Sequence, residues 1–380
     1  MKKIVFLTGT RADFGKIKSL LNKIEQSNDF ELAVFVTGMH LLKKYGGTVK
    51  EVQDAGYSNI HTHINQNLSD SMDIITSKTI SGFSDFVKEF DPDMIVVHGD
   101  RVEALAGAIV GSLNNIYVAH IEGGEVSGTI DELIRHSVSK LSHFHFVANE
   151  EAKHRLLQLG ERNDSIFVIG SPDIDIMLSD RLPSLDDVRD RYDIQYSNYS
   201  VVMLHPVTTE LDSFREKVDV MVDTINNNQK NYVVIYPNND LGSSEILKSY
   251  ESFKGNSKVV VFPSMRFEYF LTMLKHADFI MGNSSAGVRE AHYYNVPCIN
   301  IGSRQNKRAQ SRSIINCDFD ADQINRAISK TSSIKFDQSH VFGSGDSANK
   351  FFSIISSSEI WSQSSQKYFN DLELQSIKKE

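Results

Sequence analysis

The chain has 380 residues, 40% of them hydrophobic, and a formal net charge of −9. This length and apolar content support two domains with sizeable cores. The acidic balance excludes a general nucleic-acid or membrane-surface binder and leaves room for local basic pockets. Two cysteines, Cys298 and Cys317, exclude a disulfide framework and read as reduced, buried residues of a cytoplasmic protein.

In chain order, Lys2 and Lys3 precede an apolar run, Ile4 to Leu7, too short for a signal-peptide core, so no export signal is expected. Further runs with strand character are Leu32 to Val36, Ile95 to Val97, Val118 to Ile121, Phe144 to Val147 and Ile166 to Ile169, with helix-length amphipathic segments between most of them. The uncharged stretch Ala104 to Ile121 is split by Asn114-Asn115 into a small-residue helix and a strand, so no membrane span is expected. A second series follows: Val201 to Leu204, Val233 to Tyr236, Val259 to Phe262, Phe279 to Met281 and Cys298 to Ile301. Strand and helix alternating in this way indicate α/β folding in two Rossmann-like halves. The joint is expected near Gly170-Ser171-Pro172, dividing the chain into residues 1–172 and 173–354. The tail, 355–380, reads as a polar helix.

The chemistry-bearing residues fall at strand ends, where parallel α/β sheets place their ligands. Asp100 in His98-Gly99-Asp100-Arg101 and Glu122 in His120-Ile121-Glu122-Gly123-Gly124-Glu125 both follow apolar strands, and Asp131 opens a helix carrying Arg135 and His136. Taken singly, Asp100 is a helix cap, Glu122 a solvated loop acid, and Asp131 with Arg135 a helix-stabilising ion pair. Together, three carboxylates among His and Arg side chains point to proton transfer on a polar small molecule. Thr8-Gly9-Thr10-Arg11 enters a helix as a phosphate-approaching turn would, with Arg11 in reach. In the second half, Gly282 to Glu290 forms a Ser- and Gly-rich helix entry. There Ser284 and Ser285 suit an anion, and Glu290 suits the vicinal hydroxyls of a ribose. His205, Asn238 and Arg304 also follow strands of this half, so a nucleotide-linked ligand is expected in the interdomain cleft.

His143-Phe144-His145 invites a metal reading, but no matching ligand spacing completes a site and no metal is expected. The Asp-x-Asp triplets at Asp91, Asp173 and Asp318 read as turn and cap residues.

The segments Gly9-Thr10-Arg11-Ala12-Asp13, Val36-Thr37-Gly38-Met39-His40, His98 to Ala104, His120 to Glu125, Ile134-Arg135-His136-Ser137, His205-Pro206-Val207-Thr208 and Gly282-Asn283-Ser284-Ser285 together resemble the hydrolysing UDP-N-acetylglucosamine 2-epimerases of bacterial sialic-acid pathways. The resemblance spans residues 1 to about 310. It implies a GT-B fold, two Rossmann-like domains facing a cleft, with the C-terminal helix packing back on the first. It also implies a homodimer without cofactor or metal that produces N-acetylmannosamine and UDP. Non-hydrolysing relatives typically carry His-x-Glu-Ala-Gly-x-Arg and Pro-Glu-Glu-x-Asn-Arg where this chain has His120 to Glu125 and Ile130 to Arg135, which favours the hydrolysing branch. Asp100, Glu122 and Asp131 resemble the family's catalytic acids. Arg11, Arg101, His205, Asn238, Ser284, Ser285, Glu290 and Arg304 resemble its UDP-sugar contacts. Gly15 stands where some relatives have Ser. A related branch acts on UDP-2,4-diacetamido-2,4,6-trideoxyglucose in legionaminic-acid synthesis. From other classes, a GT-B glycosyltransferase or a non-catalytic UDP-sugar sensor could use the same scaffold.

Overall fold

A computed structural model describes every residue except 69, 128, 209, 211, 306–311, 335–340 and 372–380. The first domain is built on a parallel sheet of β1 (Lys2–Thr8), β2 (Phe30–Val36), β3 (Ile60–Thr62), β4 (Met94–His98), β5 (Tyr117–Ile121), β6 (Phe144–Val147) and β7 (Ile166–Val168), in the order β3-β2-β1-β4-β5-β6-β7. The second contains β8 (Ser200–Met203), β9 (Tyr232–Ile235), β10 (Val259–Phe262), β11 (Ile280–Gly282), β12 (Cys298–Ile301) and β13 (Ile314–Cys317), ordered β10-β9-β8-β11-β12-β13 and also parallel. Central strands read as unbroken apolar runs because helices cover both sheet faces, as in β4, Met-Ile-Val-Val-His.

Two strands lie outside the runs expected from sequence. Ile60-His61-Thr62 pairs only with β2 at the sheet edge and is half exposed. Ile314-Ile-Asn-Cys pairs only with β12. Both are edge strands whose apolar runs are broken by polar residues, His61-Thr62 in one and Asn316 in the other, unlike the edge strands β7 and β10. The stretch Ala104 to Ile121 divides as expected, into the Val102–Leu113 helix and β5.

The tail departs from expectation. The returning helix is Ser347–Ile355, followed by Ser358–Trp361, while 362–371 is not helical and 372–380 lies outside the described residues. Phe351 and Ile355 are fully buried in the first domain's core, so the crossing back occurs before residue 347, not at 355. The outward and return crossings touch: Ser171 N–H donates to the Phe342 carbonyl at 2.7 Å. Gly170 (φ +88°) faces Gly343 (φ +109°) so closely that a Cβ on Gly343 would lie 2.9 Å from the Gly170 Cα.

In both domains the strand order reverses once, between β1 and β4 and between β8 and β11. Loops leaving the carboxyl ends of strands at such a point diverge and leave a crevice. The two crevices face each other.

Candidate active site

One cleft takes in all eleven sequence-predicted site residues: Arg11, Asp100, Arg101, Glu122, Asp131, His205, Asn238, Ser284, Ser285, Glu290 and Arg304. Its first-domain wall starts at the β1 turn. Thr10 caps the Arg11–Glu25 helix, its Oγ1 accepting from Asp13 N–H at 3.1 Å. Asp13 in turn accepts from Thr8 Oγ1 at 2.8 Å and Gly9 N–H at 3.1 Å. The other Asp13 oxygen accepts from His98 Nδ1–H at 2.7 Å, and His98 Nε2 lies 3.4 Å from Glu122. Burial alone would lower the His98 pKa, but the charge of Glu122 and the hydrogen bonds to Asp13 and Glu122 raise it to about 10. His98 is therefore a cation at neutral pH.

The three candidate acids occupy distinct settings. Asp100 accepts a close hydrogen bond from Arg135, a guanidinium only 1% exposed that also donates to the Glu125 carbonyl at 3.2 Å. Glu122 sits at φ +66°, its N–H held by the Phe146 carbonyl at 3.0 Å. Burial would raise its pKa, yet Arg289, Lys16 and His98 together hold it well below the carboxylate range. Asp131 lies in the first turn of the Ile130–Leu141 helix, where Arg304 Nη2 donates to it at 2.7 Å. Its pKa is raised, first by burial and then by the negative charge of Asp100, with Arg304 opposing. The two acids are thus driven in opposite directions.

The second-domain wall supplies donors. Asn283 clamps the β8 and β11 loops together: its Oδ1 accepts from His205 N–H at 2.7 Å and its Nδ2 donates to the His205 carbonyl at 2.9 Å. Asn238 N–H donates to His205 Nδ1 at 3.1 Å, so the neutral ring carries its proton on Nε2. Burial and the charges of Arg304 and Arg101 keep that ring neutral, its pKa well below the usual value. Ser284 caps the short Ser285–Val288 helix. Glu290 is 1% exposed, with one oxygen 3.0 Å from Lys16 Nζ and the other buried without a hydrogen-bond partner. Ile235, Pro237, Met265 and Phe270 add an apolar face suited to a flat ring. Arg11 pairs with Glu51 at 2.7 Å and Arg101 hydrogen-bonds Asn239 at 2.9 Å, so both cations are already aimed by neighbours.

Several groups at this site were not singled out from sequence. Lys16, Asp173, Ser171 and Asn283 owe their places to contacts over long sequence separations, such as Lys16 with Glu290. The Asp173 triplet was read as a turn, yet Asp173 is fully buried, 3.4 Å from Lys16 and 3.5 Å from Arg289, and Asp175 accepts from the Ser347 and Ala348 amides. Asp320 does cap a helix. His145 is bound to Glu161 at 3.0 Å and His143 to the Ser365 carbonyl at 2.9 Å. Among the described residues no three His, Cys, Asp or Glu side chains gather as a metal site.

Two parallel α/β domains facing one cleft define a GT-B-like fold. The family profile described as UDP-N-acetylglucosamine 2-epimerase matches residues 22–356, and the chain belongs to that family. It is 47% identical over 98% of its length to a Neisseria meningitidis protein named UDP-N-acetylglucosamine 2-epimerase, covering all of that protein. It is 33% identical over 96% of its length to a Legionella pneumophila protein named UDP-N,N'-diacetylbacillosamine 2-epimerase (hydrolyzing), of which it covers 98%. Its fold matches that of the Methanocaldococcus jannaschii UDP-GlcNAc 2-epimerase solved with UDP-GlcNAc and UDP, at a TM-score of 0.79 and 23% identity, over 93% of this chain and 99% of that one. Among the described residues no helix is long and apolar enough to cross a membrane.

Proposed function

We propose that this enzyme is a hydrolysing UDP-N-acetylglucosamine 2-epimerase, converting UDP-N-acetylglucosamine and water to N-acetylmannosamine and UDP. The observation that carries the reading is the opposed bias of two carboxylates on one cleft, Glu122 held ionised and Asp131 driven towards its protonated form. Environments that push two acids apart create a base and an acid in one site. Such a pair is what adding water to a double bond requires.

In this reading Asp100 takes the proton from carbon 2 while the C1–O bond breaks and UDP leaves, giving a glycal. Arg11, Arg101 and Arg304 offset the departing charge, and His205 Nε2–H and Ser284-Ser285 hold the diphosphate, with Asn238 beside them. The unpartnered Glu290 oxygen accepts from the ribose. Water then adds to carbon 1, its proton passing to Glu122, while Asp131 delivers a proton to carbon 2 on the opposite face. Protons on Asp100 and Glu122 return to Asp131 and solvent.

The hydrolysing mode draws support from the His120 to Glu125 segment and from the name of the Legionella relative. The higher identity to the Neisseria protein supports the N-acetylglucosamine substrate. The product is that of sialic-acid biosynthesis, and the reading places the enzyme in the cytoplasm as a homodimer.

The test is a proton NMR time course with UDP-N-acetylglucosamine in deuterium oxide, without added metal. UDP and N-acetylmannosamine deuterated at carbon 2 are expected. Turnover of only the 2,4-diacetamido sugar would move the enzyme to the legionaminic branch. UDP-N-acetylmannosamine as the product would make it non-hydrolysing. Silence with both sugars would favour a transferase or a sensor.

A further inference from the structure

Arg289 belongs to the second domain, between the short helices Ser285–Val288 and Glu290–Tyr293, yet its fully buried guanidinium is surrounded by first-domain and crossing residues. Its Nη2 donates to Glu122 Oε1 at 2.6 Å, and its Nη1 donates to both Glu125 oxygens at 3.0 and 3.1 Å. Nη2 also hydrogen-bonds Ser171 at the interdomain crossing, and the guanidinium lies 4.8 Å from the Phe342 ring centroid at the return crossing. Ser171 Oγ–H donates to the same Glu122 oxygen at 2.5 Å.

The proposed chemistry assigns no step to this arginine. Arg11, Arg101 and Arg304 already face the leaving diphosphate. Burying a guanidinium is unfavourable unless it is paired, and here the partners lie across the domain boundary. We propose that Arg289 is a positioning residue that ties the orientation of Glu122 to domain closure. With the domains together the carboxylate is ionised and aimed; when the second domain swings away it loses its hydrogen-bonded cation.

The surroundings of Glu122 support this division. Lys16 reaches it from the Arg11–Glu25 helix and His98 from the end of β4, with Asp13 behind His98; both cations are first-domain groups and stay on opening. Glu125 and Asp173 are acids that hold Arg289 rather than neutralise Glu122, and Glu290 is held by Lys16. Arg289 leads the charges that lower the Glu122 pKa against burial. It is also the one of the three cations carried by the second domain. Lys16 and His98 keep Glu122 charged in either state; Arg289 adds its aim only in the closed cleft, which confines water activation to the state that holds the sugar.

The inference rests on Glu122 acting as base in the hydration step. The experiment compares wild type, Arg289→Gln, Arg289→Lys and Glu122→Gln, following UDP release and N-acetylmannosamine formation separately across the acid pH range. In Arg289→Gln the acid limb of N-acetylmannosamine formation is expected to move up by about one pH unit or more, with the limb for UDP release unmoved. Loss of structure alone would lower both rates and shift neither limb, and that result overturns the proposal. Should Arg289→Gln not fold, Arg289→Lys is decisive. A lysine keeps the positive charge but not the planar fork that holds Glu122 and Glu125 at once, so a smaller shift in the same direction is expected and an unmoved limb overturns the idea. Full N-acetylmannosamine formation by Glu122→Gln would instead remove the base role of Glu122.

Discussion

Arg304 of the second domain donates from Nη2 to Oδ2 of Asp131 in the first domain at 2.7 Å. The contact joins a cation on the second-domain wall to an acid whose pKa is raised by burial and by Asp100. Arg304→Gln should act twice. Losing a hydrogen bond to a charged group costs about 1.5–3 kcal/mol, so KM for the UDP-sugar rises roughly 10- to 100-fold. The acid also loses its opposing cation and its pKa climbs further. If Asp131 works protonated, activity is lost as pH rises through that pKa, so the basic limb of N-acetylmannosamine formation moves to higher pH. A KM effect with an unmoved limb would argue against Asp131 as the proton donor.

His98 should leave a signature in stability. Its pKa is raised from 6.5 to about 10 in the fold. A group raised on folding contributes fully below its unfolded value and loses that contribution as pH climbs through the folded value. The stabilisation is therefore present below pH 6.5 and fades towards pH 10, by about 5 kcal/mol at most. Urea unfolding at intervals across that window should show the gap between wild type and His98→Gln shrinking as pH rises. A gap constant with pH would mean that His98 is neutral in the folded protein.

Glu122→Gln separates the two half-reactions. If Glu122 activates the water as proposed, its removal with Asp100 intact should let UDP release continue while glycal accumulates and N-acetylmannosamine formation falls by roughly 100-fold or more. Asp100→Asn should instead suppress UDP release. Complete dispensability of Asp100 for elimination would overturn the assignment.

Interior strands and strand-end acids were legible because both follow from local rules: a strand covered on both faces must be apolar throughout, and a parallel sheet presents its carboxyl ends to the ligand. Of the four edge strands, β7 and β10 keep apolar runs and were legible, whereas β3 and β13 escaped because polar residues, His61-Thr62 and Asn316, interrupt theirs. The second layer of the site escaped for a different reason. Lys16, Ser171, Asp173 and Arg289 are brought together only when residues more than a hundred positions apart fold into contact, and no spacing in the chain announces that. Asp173 shows the limit well: as Asp-Ile-Asp it looks like a turn, yet burial beside two cations makes it part of the interdomain ion cluster. The tail's anchoring helix was displaced by several residues because Ser347–Ile355 buries Phe351 and Ile355 into the first core, while the more polar residues 362–371 are not helical.

Gly15 offers a test of how tightly the domains meet. A Cβ there would lie 2.3 Å from Phe267 Cβ and 2.4 Å from its Cγ, so the serine of some relatives cannot be accommodated without movement. In an isolated helix Gly→Ser would help by about 0.5 kcal/mol, but overpacking costs about 1–3 kcal/mol. The clash wins only when the domains are together. Gly15→Ser should therefore leave unfolding of the unliganded protein nearly unchanged while weakening UDP binding by calorimetry about tenfold. Adding Phe267→Ala should not restore it, because the Cβ contact survives truncation. Full affinity in Gly15→Ser would show that the Phe267 segment yields easily.

The returning helix can be weighed by contrasting two phenylalanines. Phe351 is fully buried, its ring 4.6 Å from Phe146 and 6.3 Å from Phe6, edge to face in both cases. Phe146 and Phe6 lie on β6 and β1, which flank the strands β4 and β5 that lead to Asp100 and Glu122. Phe351→Ala removes a large core side chain and should cost about 3–5 kcal/mol. Phe369 is 87% exposed, and its replacement by Ala should change stability by no more than about 0.5 kcal/mol. The midpoint of denaturant unfolding reads both. If Phe351→Ala behaved like Phe369→Ala, the Ser347–Ile355 helix would be dispensable to the first domain, and the early return of the chain would have no bearing on the rigidity of the acid-bearing wall.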